Sequence, residues 1–195
     1  MSILYGVAFL LAFSINMNTV FIAMTFAGFG IAYSHPKTNL KDKFPLKTVI
    51  TAVGAGLSSL LGGIAVSNTS LPVIYAALLF FAFFFILGPL GDIADLKGDR
   101  TVGRRTFPIV VGIIPTVLTM LSVPIVILAT TVLTYNSLGM SMLGTFAIFS
   151  TCLMTLALLL RVSKRLNDVP WIRSVRPKMR FLYVLLQLSL LLAFL

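Results

Sequence analysis

The sequence predicts an all-α fold, a polytopic transmembrane helical bundle, and three observations carry that prediction. Of 195 residues, 58% are hydrophobic and 10% are charged, where a soluble domain would be about a quarter charged. The mean hydropathy is +1.05. Apolar stretches near the roughly 20 residues that cross a bilayer alternate with short segments that hold all 15 lysines and arginines.

The elements follow in order. Residues 3–32 are nearly all apolar, interrupted by Ser14, Asn16 and Asn18. That run is too long for one span and short for two, so it predicts a clipped helix to about Ser14 and a second from about Met17 to Tyr33. Residues 34–47 are polar, with Lys37, Lys41, Lys43, Lys47 and two prolines, Pro36 and Pro45. A third span at 48–66 is rich in small residues (Ala52, Gly54, Ala55, Gly56, Gly62, Gly63), which let helix backbones approach closely in lipid. The fourth runs over 72–89 and carries Phe80, Phe81, Phe83, Phe84 and Phe85. The fifth, 107–133, contains Pro108, Pro115 and Pro124 and should bend. The sixth is 140–160, and a seventh, 181–195, is short for a crossing. Seven helices are expected, in one domain.

The charges give orientation. The basic residues fall in three segments, 34–47, 91–105 and 161–180, and the turns at 67–71 and 134–139 carry no charge. Two spans separate each basic segment from the next, so all three face one side, and the excess of Lys and Arg makes that side cytoplasmic. The net charge of +10 is thereby spent on orientation and lipid headgroups, and no nucleic-acid partner is expected. Trp171 reads as an interfacial anchor. One cysteine, Cys152, allows no internal disulfide, and with one histidine, His35, no zinc constellation is available. The N-terminal residues show neither the basic start nor the cleavage site of a signal peptide.

The chemistry is concentrated at 90–108, LGDIADLKGDRTVGRRTFP. The chain has five acidic residues and no glutamate, and three of the five are Asp92, Asp95 and Asp99. Offsets of three and four put these carboxylates on one face of a helix. Their repulsion calls for basic neighbours or a bound cation, and hard oxygen ligands suit Mg2+. Lys97, Arg100 and Arg104 are near enough in sequence to neutralise them as an ordinary solvated face. With carboxylates and arginines together at a membrane edge, the alternative is a metal–diphosphate site: acids on Mg2+, bases on phosphate oxygens.

The stretch GDIADLKGDRTVGRRTFPIVVG resembles the second aspartate-rich motif of the UbiA-type membrane prenyltransferases, DxxDxxGDRxxGxxTxPxxxG. Asp92, Asp95, Gly98, Asp99, Arg100, Gly103, Thr106, Pro108 and Gly112 all fit it. YSHPKTNLK, from Tyr33 to Lys41, resembles the family's cytoplasmic tyrosine-serine…leucine-lysine segment. The resemblance implies a helical fold of nine spans around a lipid-facing cavity, and Mg2+-dependent transfer of an isoprenyl group from a prenyl diphosphate to a lipophilic acceptor. It implies Asp95 and Asp99 as metal ligands, with Asp92 in the same catalytic site. Lys41, Arg100 and Arg104 would contact the diphosphate, and Tyr33 and Ser34 are weaker candidates. The motif's style is most similar to the branch that adds a geranylgeranyl group to a glycerol-phosphate ether; quinone and tetrapyrrole acceptors also stay open.

One departure stands beside the match. The family's first aspartate-rich motif has no counterpart, since no acidic residue precedes Asp42. The resemblance therefore covers the family's third helix onward. It leaves three expectations: a fragment, a chain completed by a partner that supplies the missing helices, or an inactive membrane subunit. A transporter is disfavoured because no charged residue lies mid-span.

Overall fold

The computed structural model describes residues 2–195. Among them eight α-helices run in order and there is no strand: α1 (Ser2–Ile15), α2 (Met17–Ser34), α3 (Leu46–Ala65), α4 (Leu71–Thr101), α5 (Phe107–Val110), α6 (Ile113–Leu138), α7 (Met142–Ser163) and α8 (Val169–Ala193), with a 3-10 turn at Leu40–Asp42. Five of them, α2, α3, α4, α6 and α7, are long and apolar enough to cross a membrane. The chain divides into two compact units, Met1–Phe81 and Ala82–Leu195.

In the first unit the break between α1 and α2 falls at Asn16, whose backbone is extended. Its side-chain oxygen accepts from the Thr19 N–H at 2.8 Å, capping α2, and its amide nitrogen donates to the Ile64 carbonyl at 3.0 Å. A polar side chain in an apolar run is thus fully used, and it ties α2 to the end of α3. The small residues of α3 do what their size predicts. A Cβ at Gly56 would sit 3.3 Å from the Ala77 carbonyl oxygen, so the two helices touch backbone to backbone there. The outward faces of α1 and α2 are apolar, with Leu4 74% and Leu10 73% exposed. Surfaces of this kind belong against lipid. The chain is an integral membrane protein.

In the second unit, α4 and α8 run antiparallel. Tyr183 lies against Phe83 and Phe84, with ring centroids 5.5 and 5.6 Å apart. On the side toward α8's N-terminus, Arg176 reaches the Gly91 carbonyl of α4. The buried stripe of α8, Ile172, Val175, Met179, Leu182, Leu186 and Leu190, has the three- and four-residue spacing of a core-facing helix. Its far end is fastened to α7. The Ser141 N–H donates to the Ala193 carbonyl at 2.8 Å, and the Ser141 hydroxyl donates to the Leu192 carbonyl at 2.6 Å. A Cβ at Gly144 would overlap the Ala193 backbone, so only glycine fits. Buried hydroxyls of the later spans are satisfied internally, as an apolar medium requires; Thr131, Thr155 and Ser189 each donate to a carbonyl one turn back.

Four boundaries differ from the sequence reading. First, α4 does not stop at Pro89 but runs on to Thr101; proline removes one helical hydrogen bond, and neighbouring turns carry the helix through. Second, the fifth span is divided: α5 is one turn, and Gly112, at φ +95°, opens a new helix at Ile113. Third, α6 continues to Leu138, through most of the segment read as a turn. Fourth, α8 starts at Val169, so much of the last basic segment is helix. Neither α1 nor α8 is among the five spanning helices: α1 has 14 residues, and α8 carries four of the basic residues, Arg173, Arg176, Lys178 and Arg180, in its N-terminal half.

Candidate functional site

The acidic segment is the last third of α4. At about 1.5 Å per residue, 31 residues extend roughly 46 Å, well beyond a hydrocarbon core of about 30 Å. One helix therefore both spans and projects. Asp92 and Asp99 are buried, at 3% and 5% exposure, while the Asp95 side chain is 47% exposed.

The end of α4 explains how the motif's glycine and arginine work. Gly103 adopts φ +69°; its N–H donates to the Arg100 carbonyl, and the Arg104 N–H reaches back to the Asp99 carbonyl at 3.0 Å. This pair of bonds closes a helix on a left-handed glycine. It also folds residue 104 back over residue 99, and Arg104 Nη1 meets Asp99 Oδ1 at 3.2 Å. The Asp99–Gly103–Arg104 spacing is thus a helix terminus that supplies a buried carboxylate with its own counter-ion. Thr106 begins the next turn, and its hydroxyl is buried with no hydrogen-bond partner among the described residues.

Asp95 is held from elsewhere. Arg176 Nη2 donates to Asp95 Oδ2 and to the Gly91 carbonyl, both at 2.5 Å. Arg173 Nη2 stands 3.6 Å from Asp95 Oδ1. A Cβ on Gly91 would come within 3.2 Å of that Arg176 nitrogen, so glycine leaves the room the guanidinium occupies. The sequence reading gave 161–180 to orientation and lipid headgroups and missed both arginines. A signal was there: Arg173, Arg176 and Arg180 repeat the three-and-four spacing of Asp92, Asp95 and Asp99, and the Ile172–Val175–Met179 stripe beside them marks a helix. The neutralising partners expected within the motif are therefore corrected in part. Arg104 pairs with Asp99, whereas Asp95 takes its ion pairs from α8; Lys97 and Arg100 are exposed. Arg165 lies over the Trp171 ring at 5.2 Å, giving that indole a cation contact.

The remaining predicted residues lie in the first unit. Tyr33 and Ser34 end α2, half-buried and exposed respectively, and Lys41 is half-buried in the 3-10 turn. The turn is set by Asn39, at φ +42°, whose side chain donates to Asp42 at 2.6 Å. The structure brings together Asp99 with Arg104 and Asp95 with Arg173 and Arg176.

Whether these groups suit a divalent cation is a matter of donor chemistry. Carboxylate oxygens are the right ligands for Mg2+, and three lie on one helix. Among the described residues, however, no group of three or more His, Cys, Asp or Glu is gathered closely enough to hold a metal ion, and arginines already engage two of the aspartates. Donor type fits; two of the three carboxylates are held in ion pairs.

The sequence profile of the UbiA prenyltransferase family matches residues 1–191. The chain belongs to that family. A solved structure described as giving structural and mechanistic insights into digeranylgeranylglyceryl phosphate synthase in membranes superposes with a TM-score of 0.80 at 19% identity, over 99% of this chain and 67% of that one. At that identity the likeness is one of fold. A search of curated proteins gave no match.

Proposed function

We propose that this membrane protein transfers an isoprenyl group from a prenyl diphosphate to a lipophilic acceptor in a Mg2+-dependent reaction. The observation that carries the reading is a projecting helix end with three aspartates, two of which meet arginines from two directions, in a chain of the UbiA family. The bond that breaks joins the prenyl carbon to the diphosphate oxygen, and its electron pair leaves with the diphosphate. The allylic cation left behind is captured by the acceptor's nucleophile, which then gives up a proton. Asp95 and Asp99, with Asp92, would hold Mg2+, which when bound offsets the charge of the departing diphosphate. Arg100 and Arg104 assist at its oxygens, and Lys41 is given the same role on the resemblance alone, as are Tyr33 and Ser34 more weakly. The apolar span surfaces keep water from the cation. The motif's style and the enzyme of similar fold both point to a geranylgeranyl donor and a glycerol-phosphate ether acceptor. The basic segments support a site on the cytoplasmic side, in a single prenyltransferase domain.

A second reading is a membrane subunit that is inactive alone or needs a partner chain carrying further helices and acidic ligands. It is favoured by the lack, among the described residues, of a ready metal-binding group. The test uses membranes containing this chain, Mg2+, labelled geranylgeranyl diphosphate and a panel of glycerol-phosphate, quinone and tetrapyrrole acceptors. Product that needs Mg2+ and falls roughly 100-fold or more in the Asp95→Asn/Asp99→Asn variant supports the enzyme. No product with any acceptor supports the subunit.

A further inference from the structure

We infer that Arg176 is a diphosphate-binding residue that Asp95 keeps in place until the anion arrives. The inference rests on the diphosphate reading above and on four features of the site. Arg176 comes from α8, more than 80 positions along the chain from Asp95, and bonds it through Nη2 at 2.5 Å. The same nitrogen serves the Gly91 carbonyl, so two contacts draw on one corner of a group that offers five N–H donors in a fork. Its Nε–H is buried without an acceptor among the described residues, a donor left over in a side chain only 29% exposed. Arg173 stands beside it, 3.6 Å from the same carboxylate, so two guanidiniums converge on one half-exposed acid.

A guanidinium fork is matched to phosphate oxygens, which accept two parallel N–H bonds. The Asp95 carboxylate is an oxygen anion of the same kind, and a cation arriving at Asp95 would compete with Arg176 for it. A metal–diphosphate satisfies both halves of the pair at once: the carboxylate turns to the cation, and the guanidinium turns to the diphosphate with its unused donor available. Without substrate, each partner stands in for the other's ligand. Cation and anion should therefore bind cooperatively here, each releasing the group the other needs.

The test measures two affinities on the full chain in lipid nanodiscs: Mn2+ by electron paramagnetic resonance, and inorganic pyrophosphate by calorimetry without metal. Arg176→Gln should weaken pyrophosphate by roughly tenfold or more while tightening Mn2+ by several-fold, because a competitor at Asp95 has gone. Arg176→Lys keeps the charge, guards against misfolding as the cause, and should fall between wild type and Arg176→Gln on both. Loss of both affinities together in Arg176→Gln, or pyrophosphate binding unchanged, would overturn the inference. Asp95→Asn separates it from the underlying reading. Mn2+ binding that is absent from wild type and Arg176→Gln alike removes the cation role of Asp95, while pyrophosphate lost on Arg176→Gln still upholds Arg176.

Discussion

At the residue scale, what matters is where each charge finds its counter-charge. Asp99 is buried and faces Arg104 at 3.2 Å, so removing the arginine leaves a carboxylate in a poor solvent. Arg104→Ala should cost about 2 kcal/mol, whereas Arg100→Ala, on an exposed side chain, should change stability by no more than about 0.5 kcal/mol. Thermal unfolding in detergent compares the two, and equal effects would contradict the pairing. Gly91 offers a second check. Its missing Cβ leaves the space that Arg176 uses, so Gly91→Ala should shift that guanidinium by a few tenths of an ångström and loosen its bonds to Asp95 and the Gly91 carbonyl. The expected readout is a weaker pyrophosphate affinity with the melting temperature nearly unchanged. The sequence displayed the three aspartates clearly because acids are so scarce. Their partners were only half legible: Arg104 lies five residues from Asp99, but Arg173 and Arg176 reach Asp95 through a tertiary contact that no local spacing reports.

At the element scale, the spans were legible and their ends were not. Hydropathy marks where a helix can lie in lipid, and it falls silent where a helix leaves lipid and continues. That is why α4 and α8 were cut short: each carries an apolar part and a charged part on one continuous backbone. The division at Gly112 was missed for a different reason, since a positive φ at one glycine ends a helix without any change in hydropathy. The small-residue prediction for α3 held, and α7 supplied a tighter case. Gly144 admits the backbone of Ala193, so Gly144→Val should overpack that contact and cost about 3 kcal/mol or more. Gly28→Val, where a Cβ meets nothing within 4 Å, should cost only a few tenths to 1 kcal/mol. Unfolding in mixed micelles measures the difference.

At the scale of the whole molecule, the basic residues predict which side each turn faces. With Cys152 replaced by serine, single cysteines at Ser34 and Ser174 should react with an impermeant maleimide only from the cytoplasmic side, and those at Ser70 and Ser137 only from the other. All four positions are exposed. Labelling of Ser34→Cys and Ser137→Cys from the same side would overturn the topology. The attachment of α8 to α7 has a mechanical consequence for the second unit. Two hydrogen bonds from Ser141 hold the last turn of α8, while Arg176 holds its charged end. Released at the charged end alone, the helix has a pivot at Ala193, and Arg176 lies 17 residues, about 26 Å, from it. A tilt of roughly 5° would then carry Arg176 about 2 Å, turning a direct hydrogen bond into a gap wide enough for a phosphate oxygen to contest.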